Sequence, residues 1–305
     1  MFKHKTMIYN NILDLIGHTP MVRINHVIAQ EGVEIFAKLE GQNPSGSIKD
    51  RIALAMIEQG EQEGMLTKEK IILEATSGNT GIALAMIGAI KGYQVQIVMS
   101  ESVSVERRKM IAAFGATIVL TEGSLGTDGA IAHAQELAEK NPEKYFMPNQ
   151  FSNEYNKLAH YRTTAQEILQ QMEGRIDYFV SALGTSGTIM GVGKALKDFD
   201  PRIKIVEAHP VKGHYIQGLK NLEEALVPSI YDAQLIDEKV MVESEDAFAM
   251  ARQTMLQEGI SVGMSSGAVL VAAREIAKKM TAGGRIVVIF PDRAEKYAST
   301  MNSRI

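Results

Sequence analysis

Cysteine and tryptophan are both absent from this 305-residue chain, and aromatic residues make up only 6% of it. Without a thiol there is no disulfide, no thiolate metal site and no cysteine nucleophile. That lack suits a reducing compartment, and a cytoplasmic protein is expected. No window approaches the roughly 18 apolar residues of a membrane span. The basic opening stretch, MFKHKTMIYNNILDLIG, lacks an apolar run long enough for a signal peptide. The formal net charge is −4, so no broad basic field draws the chain to nucleic acid or anionic lipid. Its densest basic run, Arg107, Arg108 and Lys109, reads as a solvated helix face. The seven histidines are scattered without the spacing of a zinc helix, and no metal site is expected. No strand end carries G-x-G-x-x-G, which removes a nicotinamide-dependent dehydrogenase.

What is present is alternation. Short β-branched runs begin at Val33, Ile71, Gln94, Ala116, Asp177, Ile203, Lys239 and Arg285. Helical patterns lie between most of them, at 49–63, 80–91, 104–114, 127–141, 160–172, 188–199, 244–258 and 266–280. This order predicts an α/β fold with parallel sheets flanked by helices on both faces. The 80–91 segment, TGIALAMIGAIK, is apolar almost all round and should be a buried helix. An irregular stretch after Asn141 suggests a hinge, with a smaller lobe at 40–150 and a larger one from 1–39 plus 151–305.

Four segments could carry chemistry, and most of them have a plainer reading. In NPSGSIKDR, Lys49 opens a helix whose positive end disfavours an ammonium. It is either a solvated lysine or an amine whose lowered pKa makes it a nucleophile toward a carbonyl carbon. A P-loop is excluded, because Lys49 does not follow glycine and Asp50 follows it. In EATSGNTGIALA, Thr76, Ser77, Gly78, Asn79 and Thr80 precede the apolar helix. One N-cap would need only one of them; the run as a whole suits a carboxylate. In SALGTSGTIMGVG, Gly184, Thr185, Ser186, Gly187 and Thr188 follow a strand and form a cradle for one phosphate. Ser265 and Ser266 precede a further helix, either as caps or as site residues. His214 and Tyr215 could face a cleft, whereas Asp292 and Arg293 read as turn residues.

KLEGQNPSGSIKDR, EATSGNTGIALA, GTSGT and SSGA occur in this order, and together they resemble the pyridoxal-phosphate-dependent cysteine synthases (O-acetylserine sulfhydrylases) of the tryptophan-synthase-β fold type. The resemblance runs from about residue 8 to residue 300. It implies two lobes with pyridoxal 5'-phosphate in the cleft between them. Lys49 matches the Schiff-base lysine, Asn79 the partner of the ring oxygen, and Ser265 the partner of the pyridine nitrogen. Gly184, Thr185, Ser186, Gly187 and Thr188 match the phosphate cradle. Thr76, Ser77, Gly78 and Thr80 match the loop that holds the amino-acid carboxylate, assisted by Gln150. SVERRKM and LKNLEEALVPSIYD look like the B-type enzymes, which accept donors bulkier than sulfide. In that branch an arginine commonly stands where Lys220 does, so Lys220 is expected to meet an anionic donor such as thiosulfate or a thiocarboxylate.

The implied reaction is a β-replacement. O-acetylserine enters, Lys49 removes the α-proton, acetate leaves, and a sulfur nucleophile adds to the β-carbon. A homodimer is the family expectation. The alternatives are cystathionine β-synthase, a dehydratase on the same fold, or a binding protein without turnover. Thr80, where dehydratases typically carry histidine, argues against the second. Retention of Lys49 and Asn79 argues against the third. His18 replaces a usual asparagine in GHTP. Relatives often continue past the position of Thr300 with a tail, so control by such a tail is not expected here.

Overall fold

The computed structural model describes residues 8–76 and 78–297; the expectations for Ser77, the opening residues and the tail beyond 297 lie outside these. In chain order the elements are β1 (Met21–Ile24), β2 (Val33–Leu39), α1 (Lys49–Gln62), β3 (Ile71–Ala75), α2 (Asn79–Lys91), β4 (Val95–Ser100), α3 (Val105–Ala113) and β5 (Thr117–Thr121). Next come α4 (Gly126–Lys140), β6 (Tyr145–Phe146), α5 (Glu154–Ala159), α6 (Ala165–Gln171), β7 (Tyr178–Ala182), α7 (Gly187–Phe199) and β8 (Lys204–Pro210). The last are β9 (Glu238–Val242), α8 (Ser244–Glu258), α9 (Met264–Lys279) and β10 (Gly284–Phe290).

Two sheets form. One has six strands in the order β1-β2-β10-β7-β8-β9; the other has four, in the order β5-β4-β3-β6. Every pairing is parallel except β1 with β2. Parallel sheets bury both faces under crossover helices, and side chains alternate faces along a strand. On β10, Ile286, Val288 and Phe290 therefore join the core under α8 and α9. Val287 and Ile289 join the core under α6 and α7. The smaller sheet repeats this: Ile72 and Ile97 pack with α2, while Leu73, Ala75 and Val98 pack with α4. Helix α2 is buried from Thr80 to Gly88, as its composition predicts. Each fully buried isoleucine or leucine there contributes about 1.5–3 kcal/mol.

Two expectations need correction. Strands β1 and β6 have no pattern in the sequence that marks them; β1 carries the exposed Arg23, and β6 has only two residues. The helix expected at 160–172 begins earlier, at Glu154, where Asn153 caps α5 by accepting from the Tyr155 N–H at 2.9 Å. A π-helical turn, His160–Thr164, then joins α5 to α6. His18 sits in the left-handed region at φ 48°, where asparagine is better tolerated.

Candidate active site

Strands β3, β7 and β10 all end at one cleft, which encloses about 170 Å³. In open parallel sheets, ligands bind beyond the carboxyl ends of the strands. Around this cleft stand Lys49, Thr76, Gly78, Asn79, Thr80, Gln150, Gly184, Thr185, Ser186, Thr188, Lys220 and Ser265. Gly187 is the first residue of α7, directly beside them.

Lys49 is the first residue of α1. Ile48 ahead of it is buried, and its N–H donates to the Pro291 carbonyl at 2.8 Å. The side chain is thereby aimed into the cleft. Burial pushes the amine down from 10.5 to about 8, against an opposing pull from Asp292. Lys49 is thus partly buried at the cleft wall and is not a freely solvated lysine.

In the loop between β3 and α2, the Thr76 hydroxyl accepts from the Gly78 N–H at 3.2 Å. The Thr80 hydroxyl donates to Gln150 Oε1 at 2.7 Å, and Gln150 Nε2 donates to the Ala75 carbonyl at 3.2 Å. Buried Glu74 accepts from the Gln150 N–H at 3.2 Å; burial pushes its carboxyl up to about 8. Gly78 is needed because a Cβ there would lie 2.7 Å from a guanidinium nitrogen of Arg107. That corrects the reading of the basic run. Arg107 is 3% exposed, lines the cleft, and places its guanidinium 4.9 Å from the centre of the Tyr297 ring.

The second loop is a tight cradle. A Cβ on Gly184 would sit 2.7 Å from the Gly218 carbonyl, and one on Gly187 would sit 1.8 Å from Asn156 Oδ1. Asn156 Nδ2 donates to Thr185 Oγ1 at 3.0 Å. Ser186 adopts a left-handed conformation (φ 68°) at the N-terminus of α7, and its hydroxyl is buried without a hydrogen-bond partner. An orphaned donor at a helix N-terminus is suited to a phosphate. Thr188 Oγ1 lies 3.3 Å from His160 Nε2, whose other ring nitrogen lies 2.9 Å from Thr164 Oγ1. Burial, with Lys49 and Arg51 nearby, holds His160 well below the usual histidine range, so the ring is neutral. Nothing in the spacing of the histidines singled it out.

Ser265 lies in the first turn of α9 and is buried at the cleft wall. Tyr215 lines the cleft, while His214 turns to Ser244 at 3.0 Å. Lys220 Nζ is buried without a hydrogen bond, 4.5 Å from the centre of the Phe151 ring and 3.8 Å from Asp128 Oδ1. Burial lowers its pKa and Asp128 raises it. Asp292, read from sequence as a turn residue, instead bonds Asn79 and Tyr297 inside the cleft wall. Among the described residues no cluster of histidines and carboxylates could hold a metal ion, and no helix is long and apolar enough to cross a membrane.

The family model for pyridoxal-phosphate dependent enzymes matches residues 12–292. A cysteine synthase of Aquifex aeolicus is 47% identical over 297 residues, covering 95% of this chain and 90% of that protein. The structure of a cysteine synthase (OASS) from Entamoeba histolytica superposes with a TM-score of 0.93 at 40% identity, covering 100% of this chain and 94% of the other. A hydrogen sulfide-producing enzyme from Fusobacterium nucleatum gives 0.89 at 44% identity, covering 95% and 100%.

Proposed function

The chain belongs to the pyridoxal-phosphate-dependent enzymes and, within them, to the cysteine synthases, and from that premise we propose that it makes L-cysteine from O-acetyl-L-serine and a sulfur donor. The observation that carries this reading is the convergence on one cleft of a half-buried amine of lowered pKa, a carboxylate loop and a phosphate cradle. The residues present fit the cofactor. Lys49 would hold its aldehyde carbon, and Asn79 its ring oxygen. The cradle from Gly184 to Thr188 would take its phosphate, where the Ser186 hydroxyl lacks a partner. Ser265 would meet its pyridine nitrogen. Pyridoxal phosphate, when bound, supplies the electron sink for loss of the α-proton and the β-acetoxy group.

The protein's own part is to bind, orient and move a proton. Thr76, Ser77, Gly78 and Thr80 hold the substrate carboxylate, assisted by Gln150, and the buried Arg107 beside Gly78 adds a favourable field. With its pKa lowered to about 8, the Lys49 amine is a base of suitable strength for the α-proton. A serine hydroxyl at the pyridine nitrogen would bring less charge than an aspartate would, so the bound cofactor would be a weaker electron sink. We read 40–150 as a smaller lobe that closes on 1–39 plus 151–305, excluding water. The working unit in this reading is a cytoplasmic homodimer of B type.

Purified protein should be yellow. O-acetylserine should shift that band, and sulfide should restore it as cysteine accumulates. A colourless protein, or one indifferent to O-acetylserine, would remove the reading.

The lowered pKa of Lys49 has a sign that can be tested. Below pH 8 the amine is protonated and cannot attack an aldehyde. Loading of cofactor-free protein should therefore speed up as pH rises to about 8 and level off above it. A solvent-exposed lysine would keep gaining reactivity to about pH 10.

Lys220 defines the donor side. Its ammonium pairs loosely with Asp128 at 3.8 Å and lies over the Phe151 ring but has no hydrogen bond, so an anionic donor would supply the missing acceptor. Lys220→Ala should lower the rate with thiosulfate by on the order of tenfold, and the rate with sulfide much less. Asp128→Asn should move the thiosulfate rate the other way. Equal losses for both donors in Lys220→Ala would refute the assignment.

A further inference from the structure

The Asn79 carboxamide is gripped on both sides by charged groups from the segment after β10. Lys296 Nζ donates to Asn79 Oδ1 at 3.0 Å, and Asn79 Nδ2 donates to Asp292 Oδ2 at 2.6 Å. The Tyr297 hydroxyl donates to the same carboxylate oxygen at 2.6 Å. Asp292, Lys296 and Tyr297 are each no more than 3% exposed.

A carboxamide has two orientations that differ by exchange of its oxygen and its NH2 group. Here the exchange is forbidden by the partners. It would set an NH2 against an ammonium, which has no lone pair, and a carbonyl against a carboxylate, which has no hydrogen. Away from water, both mismatches are felt strongly. Two glycines shape the grip. A Cβ on Gly263 would lie 2.2 Å from Asp292 Oδ1, and one on Gly46 would lie 3.2 Å from Lys296 Cε. Burial pushes the Lys296 amine down to about 8, and Asp292 and Asp50 oppose that, so it is a cation at pH 7. With one Nδ2 hydrogen on Asp292, the other is left for the cleft, which Asn79 lines.

We propose that Lys296 and Asp292 are positioning residues that lock the Asn79 carboxamide so that it presents an N–H, not a carbonyl, to the ring oxygen of pyridoxal phosphate. This rests on the placement of Asn79 in the function proposed above. An N–H there favours the ionised ring oxygen. A carbonyl would repel it and favour the protonated ring hydroxyl, which absorbs in the near ultraviolet instead of the visible.

The test compares absorption spectra of four holoproteins at fixed pH: wild type, Lys296→Met, Lys296→Arg and Asn79→Ala. Lys296→Met should raise the ratio of the near-ultraviolet to the yellow band by about tenfold, the weight of one hydrogen bond. Lys296→Arg, which keeps a cationic donor, should return most of the yellow band. A role in stability alone would change the melting temperature and leave the ratio as it was. If Asn79→Ala shifts the ratio and Lys296→Met does not, the lock is wrong. If Asn79→Ala leaves the ratio unchanged, the placement of Asn79 at the ring oxygen is itself wrong, and the lock falls with it. Should Lys296→Met not yield folded protein, Asp292→Asn asks the same question, because it removes the charge that repels a flipped carbonyl. The near-ultraviolet band should again rise, and an unchanged spectrum overturns the proposal.

Discussion

Replacing Lys49 with alanine should lower cysteine formation by about 10³-fold or more while leaving the fold intact. In the proposed function this amine both holds the cofactor and moves the α-proton. Its own environment indicates that the fold does not need it. Burial lowers its pKa from 10.5 to about 8, so the ammonium costs the folded, cofactor-free protein on the order of 3 kcal/mol at neutral pH. Between about pH 8 and 10.5 the unfolded chain binds more protons at this site than the folded one. The penalty therefore fades as pH rises through that window. Cofactor-free Lys49→Ala should accordingly melt at or above the wild-type temperature below pH 8. Lys49→Arg should be as inactive as Lys49→Ala, because a guanidinium does not lose its proton. Substantial activity in either variant, measured with O-acetylserine and sulfide, would displace Lys49 from the centre of the mechanism.

Arg51→Met should destabilise the protein by about 3–5 kcal/mol, the usual cost of removing one partner from a buried ion pair. Arg51 lies in the first turn of α1 and is 4% exposed. Its guanidinium forks onto Glu40, at 2.7 Å and 2.8 Å, and onto Glu167, also at 2.7 Å and 2.8 Å. Lys38 completes the cluster, donating to Glu167 at 2.7 Å. These bonds tie α1 to α6 and to the turn after β2, and so hold the helix that carries Lys49. Burial alone would raise the Glu167 carboxyl, but hydrogen bonds and charge from Arg51 and then Lys38 outweigh it and bring it down to about 2. A depressed carboxyl contributes stability that is present above its unfolded value of 4.5 and is lost as pH falls toward 2. In urea titrations the gap between wild type and Arg51→Met should thus be full at neutral pH and shrink in acid. A gap below about 1 kcal/mol at pH 7 would mean that the cluster is replaceable by packing, as some buried ion networks are.

Eight of the ten strands among the described residues coincide with runs visible in the sequence, because face alternation and β-branching are local properties. The apolar ring of α2 foretold its burial for the same reason. Lys49, Thr76, Gly78, Asn79, Thr80 and most of the Gly184–Thr188 loop meet at one cleft, and as candidates they are legible because each stretch is continuous in the chain. Strands β1 and β6 are too short for a period to show, and they persist through pairing with longer neighbours.

Tertiary structure decided the rest. Nothing in ERRKM separates Arg107 from Arg108, yet one is sealed against Gly78 and Tyr297 while the other bonds the Val103 carbonyl at 3.0 Å. Asp292 looked like a turn residue because the group that gives it meaning, Asn79, is 213 positions away. Local pattern specifies which segments become strands, helices and anion loops. The state of a buried charge depends on which distant partner the fold sets beside it, since with water excluded that partner alone determines whether the charge is satisfied.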